Sequence, residues 1–144
     1  MEDEKMGRVT TTATIENLED LWEVKRGFRS PDQVRTVTLQ DALVDTGAMV
    51  LSLPRQVIQQ IGLSPVIQKE TLTTGGLRQT TMYQAVRLTI QGRFCTVDVL
   101  EVPDDVPALI GQVPLEILDF VVDLPNRKLI GNPAHGGQQM FEMY

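Results

Sequence analysis

The chain has 144 residues, 42% hydrophobic and 22% charged, with a net charge of -6. That is the ordinary balance of one soluble globular domain, long enough to bury a core without disulfide or metal staples. The acidic balance speaks against a nucleic-acid partner, which wants clustered Lys and Arg, and Cys95, as the single cysteine, excludes an intrachain disulfide and permits a reducing compartment.

One histidine, His135, and one cysteine cannot assemble a Cys/His metal site, so no metal is expected. His135 also sits in a Gly-rich tail, Ala134-His135-Gly136-Gly137, a poor platform for a Ser-His-Asp or Cys-His pair; it is expected to be an exposed loop residue. Met1 to Lys5 is acidic and polar, unlike a secretory signal, and no apolar run approaches a membrane span. A cytoplasmic, soluble domain with no membrane partner is the expectation.

In chain order, Arg8 to Ile15 is rich in Thr and Val and predicts a strand. Leu21 to Lys25 extends a second strand, with Trp22 and Val24 on one face by period two. Gly27 to Gln33, containing Ser30-Pro31-Asp32, is a loop. Val34 to Leu39 alternates apolar and polar side chains, and Ala42-Leu43-Val44 is a short apolar strand running into Asp45-Thr46-Gly47-Ala48. Met49 to Leu53 continues as an apolar segment. Pro54 to Ile61 predicts a helix: Pro54 suits the first position, Val57, Ile58 and Ile61 share a face, and Gly62 stands where a C-cap belongs.

Val66 to Thr74 and Leu77 to Ile90 read as a hairpin with Gly75-Gly76 at its tip. Phe94 to Val102 alternates Cys95, Val97 and Val99 with polar neighbours, and Cys95 is a strand residue without redox duty. A loop of residues 103–107 leads to Ala108-Leu109-Ile110-Gly111. Pro114 to Leu118 is a short helix, and Phe120 to Leu124 and Lys128 to Ile130 are strands around a Pro-Asn turn. The domain is therefore all-β in class, closed or sandwich-like, with one or two short helices.

Asp45 carries the chemistry. A carboxylate delivered by an apolar strand to a glycine turn needs hydrogen-bond donors or a partner charge. The Thr46 hydroxyl and the backbone N–H groups of Gly47 and Ala48 are the donors at hand, and Gly47 permits a close approach that a side chain would block. The plainer reading of Asp45 is a turn aspartate in an ordinary β domain.

Val44-Asp45-Thr46-Gly47-Ala48 resembles the active-site loop of the retropepsin-like (retroviral-type) aspartic proteases. Ala108-Leu109-Ile110-Gly111 resembles their second signature, in which residues at Leu109, Ile110 and Gly111 pack behind the catalytic loop. The resemblance covers roughly residues 34–131, with residues 8–27 and the tail 132–144 as extensions of a single domain, and is nearer to soluble bacterial members than to viral ones. It implies the acid-protease fold, a closed β-barrel or sandwich whose flap is the hairpin around Thr74, Gly75, Gly76 and Leu77, and whose short C-terminal helix falls at Leu115 to Asp119.

The resemblance further implies a peptide or protein substrate, no cofactor, Asp45 as the catalytic residue and Thr46 bonding across the interface of a homodimer. Only one Asp-Thr-Gly occurs, and the chemistry needs two carboxylates, so a two-fold pairing of Asp45 with its mate is implied. The alternative is a catalytically silent retropepsin-fold domain for peptide binding or assembly. The apolar tail residues Met140, Phe141, Met143 and Tyr144 either pack into the dimer interface or fold on their own domain.

Overall fold

A computed structural model of the chain describes residues 8–143; Met1 to Lys5 and the terminal Tyr144 lie outside the described residues. The ladder begins with β1 (Thr10–Asn17), antiparallel to β2 (Thr36–Val44) with Ile15 opposite Val37. The same β1 pairs on its other edge with β5 (Gly76–Ile90), Ile15 facing Leu88. Between β2 and β5 run β7 (Leu109–Ile110), β3 (Leu51–Pro54) and β6 (Arg93–Val102), so the sheet closes on itself and only β4 (Pro65–Thr73) hangs outside the ring, on β5. A separate two-stranded sheet joins β8 (Phe120–Asp123) to β9 (Lys128–Gly131). The expected all-β, closed architecture is the one observed.

Closure follows from period-two burial. Ala13 and Ile15 of β1, Val86, Leu88 and Ile90 of β5, and Cys95, Val97 and Val99 of β6 all face the interior. Leu51, Leu53 and Ile110 fill its centre at 0% exposure. Because β1 pairs with both β2 and β5, residues 10–17 are part of the barrel wall.

One element differs in kind from the sequence expectation. Leu18–Lys25 is a helix, α1, in place of the second strand read over Leu21 to Lys25. Asn17 caps it, its side chain accepting from the Asp20 N–H at 3.0 Å, and Glu19 and Asp20 place negative charge in the first turn. The Trp22/Val24 alternation was coincidental: Leu18, Leu21, Trp22 and Lys25 recur at helical spacing and line one shallow groove against Arg87 of β5. Asn17 also donates to the Ile61 carbonyl at 2.8 Å, which ties α1 to the C-cap of the helix Arg55–Gln60.

Helix α2 spans Arg55–Gln60, with Pro54 one step earlier than expected, as its N-cap. Helix α3 spans Gln112–Leu118, starting two residues before Pro114. Val34 to Val44 is not two strands but chiefly one, β2. At the junction of α1 and β2, Asp20 is fully buried and grips Arg35 in a bidentate pair, 2.8 Å to Nε and 2.9 Å to Nη2. The Arg35 hydrogen bonds hold the Asp20 carboxyl below its usual range, against the opposing pull of burial.

Candidate active site

The strand order explains why Asp45 is where it is. β7 lies between β2 and β3, parallel to the first (Val44 opposite Ile110) and antiparallel to the second (Leu51 opposite Ile110). Residues 45–50 must therefore loop around the end of β7. The Asp45 N–H donates to the Ile110 carbonyl at 2.9 Å, Leu43 N–H to the Ala108 carbonyl at 2.9 Å, and Gly111 N–H to the Val50 carbonyl at 3.0 Å. The first turn of α3 adds Gln112 N–H to the Ala48 carbonyl at 2.8 Å and Val113 N–H to the Met49 carbonyl at 2.9 Å. Main-chain bonds on both sides thus fix the loop, independent of any side chain.

Two glycines permit this closeness. A Cβ on Gly111 would stand 2.5 Å from the carbonyl carbon of Met49 and from the Val50 oxygen, which are backbone atoms that cannot swing away. A Cβ on Gly47 would lie 3.1 Å from Asp45 Oδ1, the oxygen that accepts the Gly47 N–H at 2.9 Å. Of the donors expected for the carboxylate, Gly47 N–H serves; Ala48 N–H goes instead to the main-chain carbonyl of Asp45 at 3.1 Å. Asp45 is half-buried, while Thr46 and Gly47 are exposed, so one face of the turn remains open.

The structure brings the first signature, Asp45 to Ala48, against the second, Leu109 to Gly111. The hairpin residues Thr74, Gly75, Gly76 and Leu77 stand apart from both; among the described residues no hydrogen bond links them to the Asp45 loop. Their tip is held locally, Gly75 N–H donating to Thr73 Oγ1 at 3.1 Å and Thr73 Oγ1 to the Gly76 carbonyl at 2.9 Å.

Two polar clusters had no signal in the local sequence, because their members are far apart in the chain. At the root of the hairpin, Tyr83 donates to Glu101 Oε1 at 2.6 Å and Arg55 to Glu101 Oε2 at 2.7 Å. Burial raises the Glu101 carboxyl, but the Tyr83 and Arg55 hydrogen bonds outweigh it and leave the group below its usual range. The second cluster corrects the expectation for His135. It is not an exposed loop residue: its side chain is 13% exposed and Nδ1 lies 2.6 Å from Asp119 Oδ2. Asp119 also accepts the Met140 N–H at 3.0 Å, and Arg93 reaches the carbonyls of Leu118, Asp119 and Gly137. The tail is therefore bonded to its own domain through the Met140 main chain and the Glu142 carboxylate, 3.6 Å from His135 Nε2, while Phe141 and Met143 are 67% and 77% exposed.

Among the described residues no group of three or more His, Cys, Asp or Glu is placed to hold a metal ion, and no helix is long and apolar enough to cross a membrane. A family model described as aspartyl protease matches residues 33–113, more than half of the chain. No curated protein matches it.

Proposed function

We propose a function for a chain that belongs to the aspartyl protease family: it is an endopeptidase whose catalytic unit is two copies, each supplying Asp45. The observation that carries this reading is a single Asp-Thr-Gly turn per chain, half-buried and pinned by the Ile110 carbonyl and the Gly47 N–H. One carboxylate cannot act as both base and acid in the same step; two across a two-fold axis can.

At a separation of ~3 Å two such carboxylates share one proton, and their titration belongs to the pair. The ionised member takes a proton from a water as that oxygen attacks the peptide carbonyl carbon. The protonated member gives its proton to the carbonyl oxygen, producing a neutral gem-diol. Return of one diol proton to a carboxylate, with transfer of the other carboxyl's proton to the amide nitrogen, expels the amine and restores the pair. Thr46, exposed beside Asp45, is assigned to bond across the axis, and the Thr74 to Leu77 hairpin to cover an extended peptide bound by main-chain pairing. No cofactor enters this chemistry. The cytoplasm suits a chain whose one thiol, Cys95, is free and buried. The exposed Met140, Phe141 and Met143 are assigned to the mate's surface; deleting residues 138–144 should shift the protein towards monomer, and an unchanged mass in solution would sink that assignment.

The test is digestion of an unfolded protein by wild type and by Asp45→Asn between about pH 4 and 7, the range in which raised carboxylate pKa values fall. Cleavage by wild type, reduced roughly a thousandfold or more in the variant, is expected. Equal cleavage by both would remove Asp45 from the mechanism. No cleavage by either, with peptides still bound, would make the chain a silent peptide-binding domain.

A further inference from the structure

Strand β5 leaves the barrel at a definite point. From Ile90 to Val86 it pairs with β6 in register, and the register shifts between Val86 and Tyr83. Beyond the Met82–Leu100 pair its only partner among the described residues is β4. Residues 67–81 thus form a two-stranded arm that ends in the pair Thr73–Gly76, with the pair before it, Leu72–Leu77, 81% and 68% exposed. A lone hairpin has little to fix its direction, so its pose is decided at its root.

The root is bonded on two sides. On one, Gln84 N–H donates to the Ser64 carbonyl at 3.0 Å, Ser64 N–H to Gln84 Oε1 at 2.9 Å, and Gln84 Nε2 to Glu19 at 2.8 Å. On the other, Glu101 divides its carboxylate: Oε1 takes the Tyr83 hydroxyl and Oε2 takes Arg55 Nε and Nη2. Arg55 opens α2, which continues directly from β3, and β3 is bonded to β7 beside the Asp45 turn. Asp104 Oδ1 fastens the same helix start through the Gln56 N–H at 3.0 Å. Beside the main-chain ladder at Tyr83–Val99 and Met82–Leu100, Glu101 therefore joins the Tyr83 side chain, two residues from the arm, to the helix that follows β3.

We propose that Tyr83, acting through Glu101 and Arg55, is a positioning residue that sets the pose of the 67–81 arm and thereby the capture of peptide. This rests on the protease reading only in that the arm is taken to close over substrate. Tyr83 does not touch the reacting atoms, so its loss should act on KM and leave bond breaking alone.

The test is Tyr83→Phe, which keeps the ring and removes the hydroxyl, read first by backbone 15N relaxation of the full chain. Arm amides from Ile67 to Thr81 should gain motion while those from Val86 to Ile90 keep wild-type values. With a peptide substrate KM should rise about fivefold, as for one lost hydrogen bond, and kcat should stay within about twofold. Glu101→Gln keeps an acceptor for the hydroxyl but loses the charge that holds Arg55, and should give a smaller effect of the same kind. Unchanged arm relaxation in Tyr83→Phe overturns the proposal, as does equal loosening of Val86 to Ile90, or a fall in kcat at constant KM. A wild type that cleaves nothing would sink the protease reading alone, and the relaxation comparison would then decide the clamp by itself.

Discussion

The main-chain N–H of Asp45 and the carbonyl of Ile110 are hydrogen-bonded at 2.9 Å, so the acidic turn and the Ala-Leu-Ile-Gly segment are two halves of one rigid object. Main-chain bonds join the two halves, and the Ile110 side chain is buried in the core beneath them. The insertion of β7 between β2 and β3 puts them there.

Gly111→Ala should be among the most damaging small substitutions in the chain. Its methyl would meet Met49 and Val50 backbone at 2.5 Å, and relieving that contact must move the turn; a loss of about 3 kcal/mol is expected. Gly47→Ala meets only the Asp45 carboxylate, at 3.1 Å, and should impair cleavage with a much smaller change in stability. Urea midpoints of the two variants check this, and wild-type stability in Gly111→Ala would show that the close packing is not what holds the loop.

Asp20 makes folding depend on acid. Its carboxyl is held low in the folded chain by Arg35, so its contribution is present above the unfolded carboxylate pKa and is lost as pH falls through the folded value. Asp20→Asn should cost about 2–3 kcal/mol near neutral pH, somewhat less than a wholly buried pair because Arg35 is partly solvated. The gap to wild type should narrow below about pH 4. Denaturant melts across that range would show a constant gap if the ion pair contributes nothing.

His135 should titrate above 6.5, raised first by its hydrogen bond to Asp119 and helped by Glu142. The sign is the reverse of that for Asp20: the stabilisation is full below the unfolded histidine pKa and fades as pH rises through the folded one. An NMR titration of the single histidine checks the first point, and Asp119→Asn should lower the midpoint. A fall in the Met140 amide's protection, relative to the exchange of an unfolded amide at the same pH, on the alkaline side checks the second.

Cys95 should resist modification. It faces the barrel interior from β6, and burial pushes its thiol up to about 11. A thiol reagent at pH 8 should label the folded protein far more slowly than the chain in denaturant. Labelling at the rate of a free cysteine would mean that the β5–β6 wall opens readily.

By itself the sequence determined the local chemistry: an apolar strand ending in Asp45-Thr46-Gly47, a hairpin whose turn, Thr74-Gly75, falls one residue before the Gly75-Gly76 tip read from it, and the alternation of Cys95, Val97 and Val99. These are readable because period two and glycine turns are short-range properties of the chain. It misread Leu21 to Lys25, part of the helix Leu18–Lys25, where Trp22 and Val24 imitated a strand and the Asn17 cap passed unnoticed. It also placed His135 in solvent, since nothing near it in sequence announces Asp119. Barrel closure by β1 on β5, the threading of β7 behind Asp45, the buried Asp20–Arg35 pair and the Tyr83–Glu101–Arg55 bridge were decided only by the tertiary structure. Each joins residues far apart in the chain, and such pairings are selected by how well the whole core buries its apolar faces and satisfies its polar groups, which no local window contains.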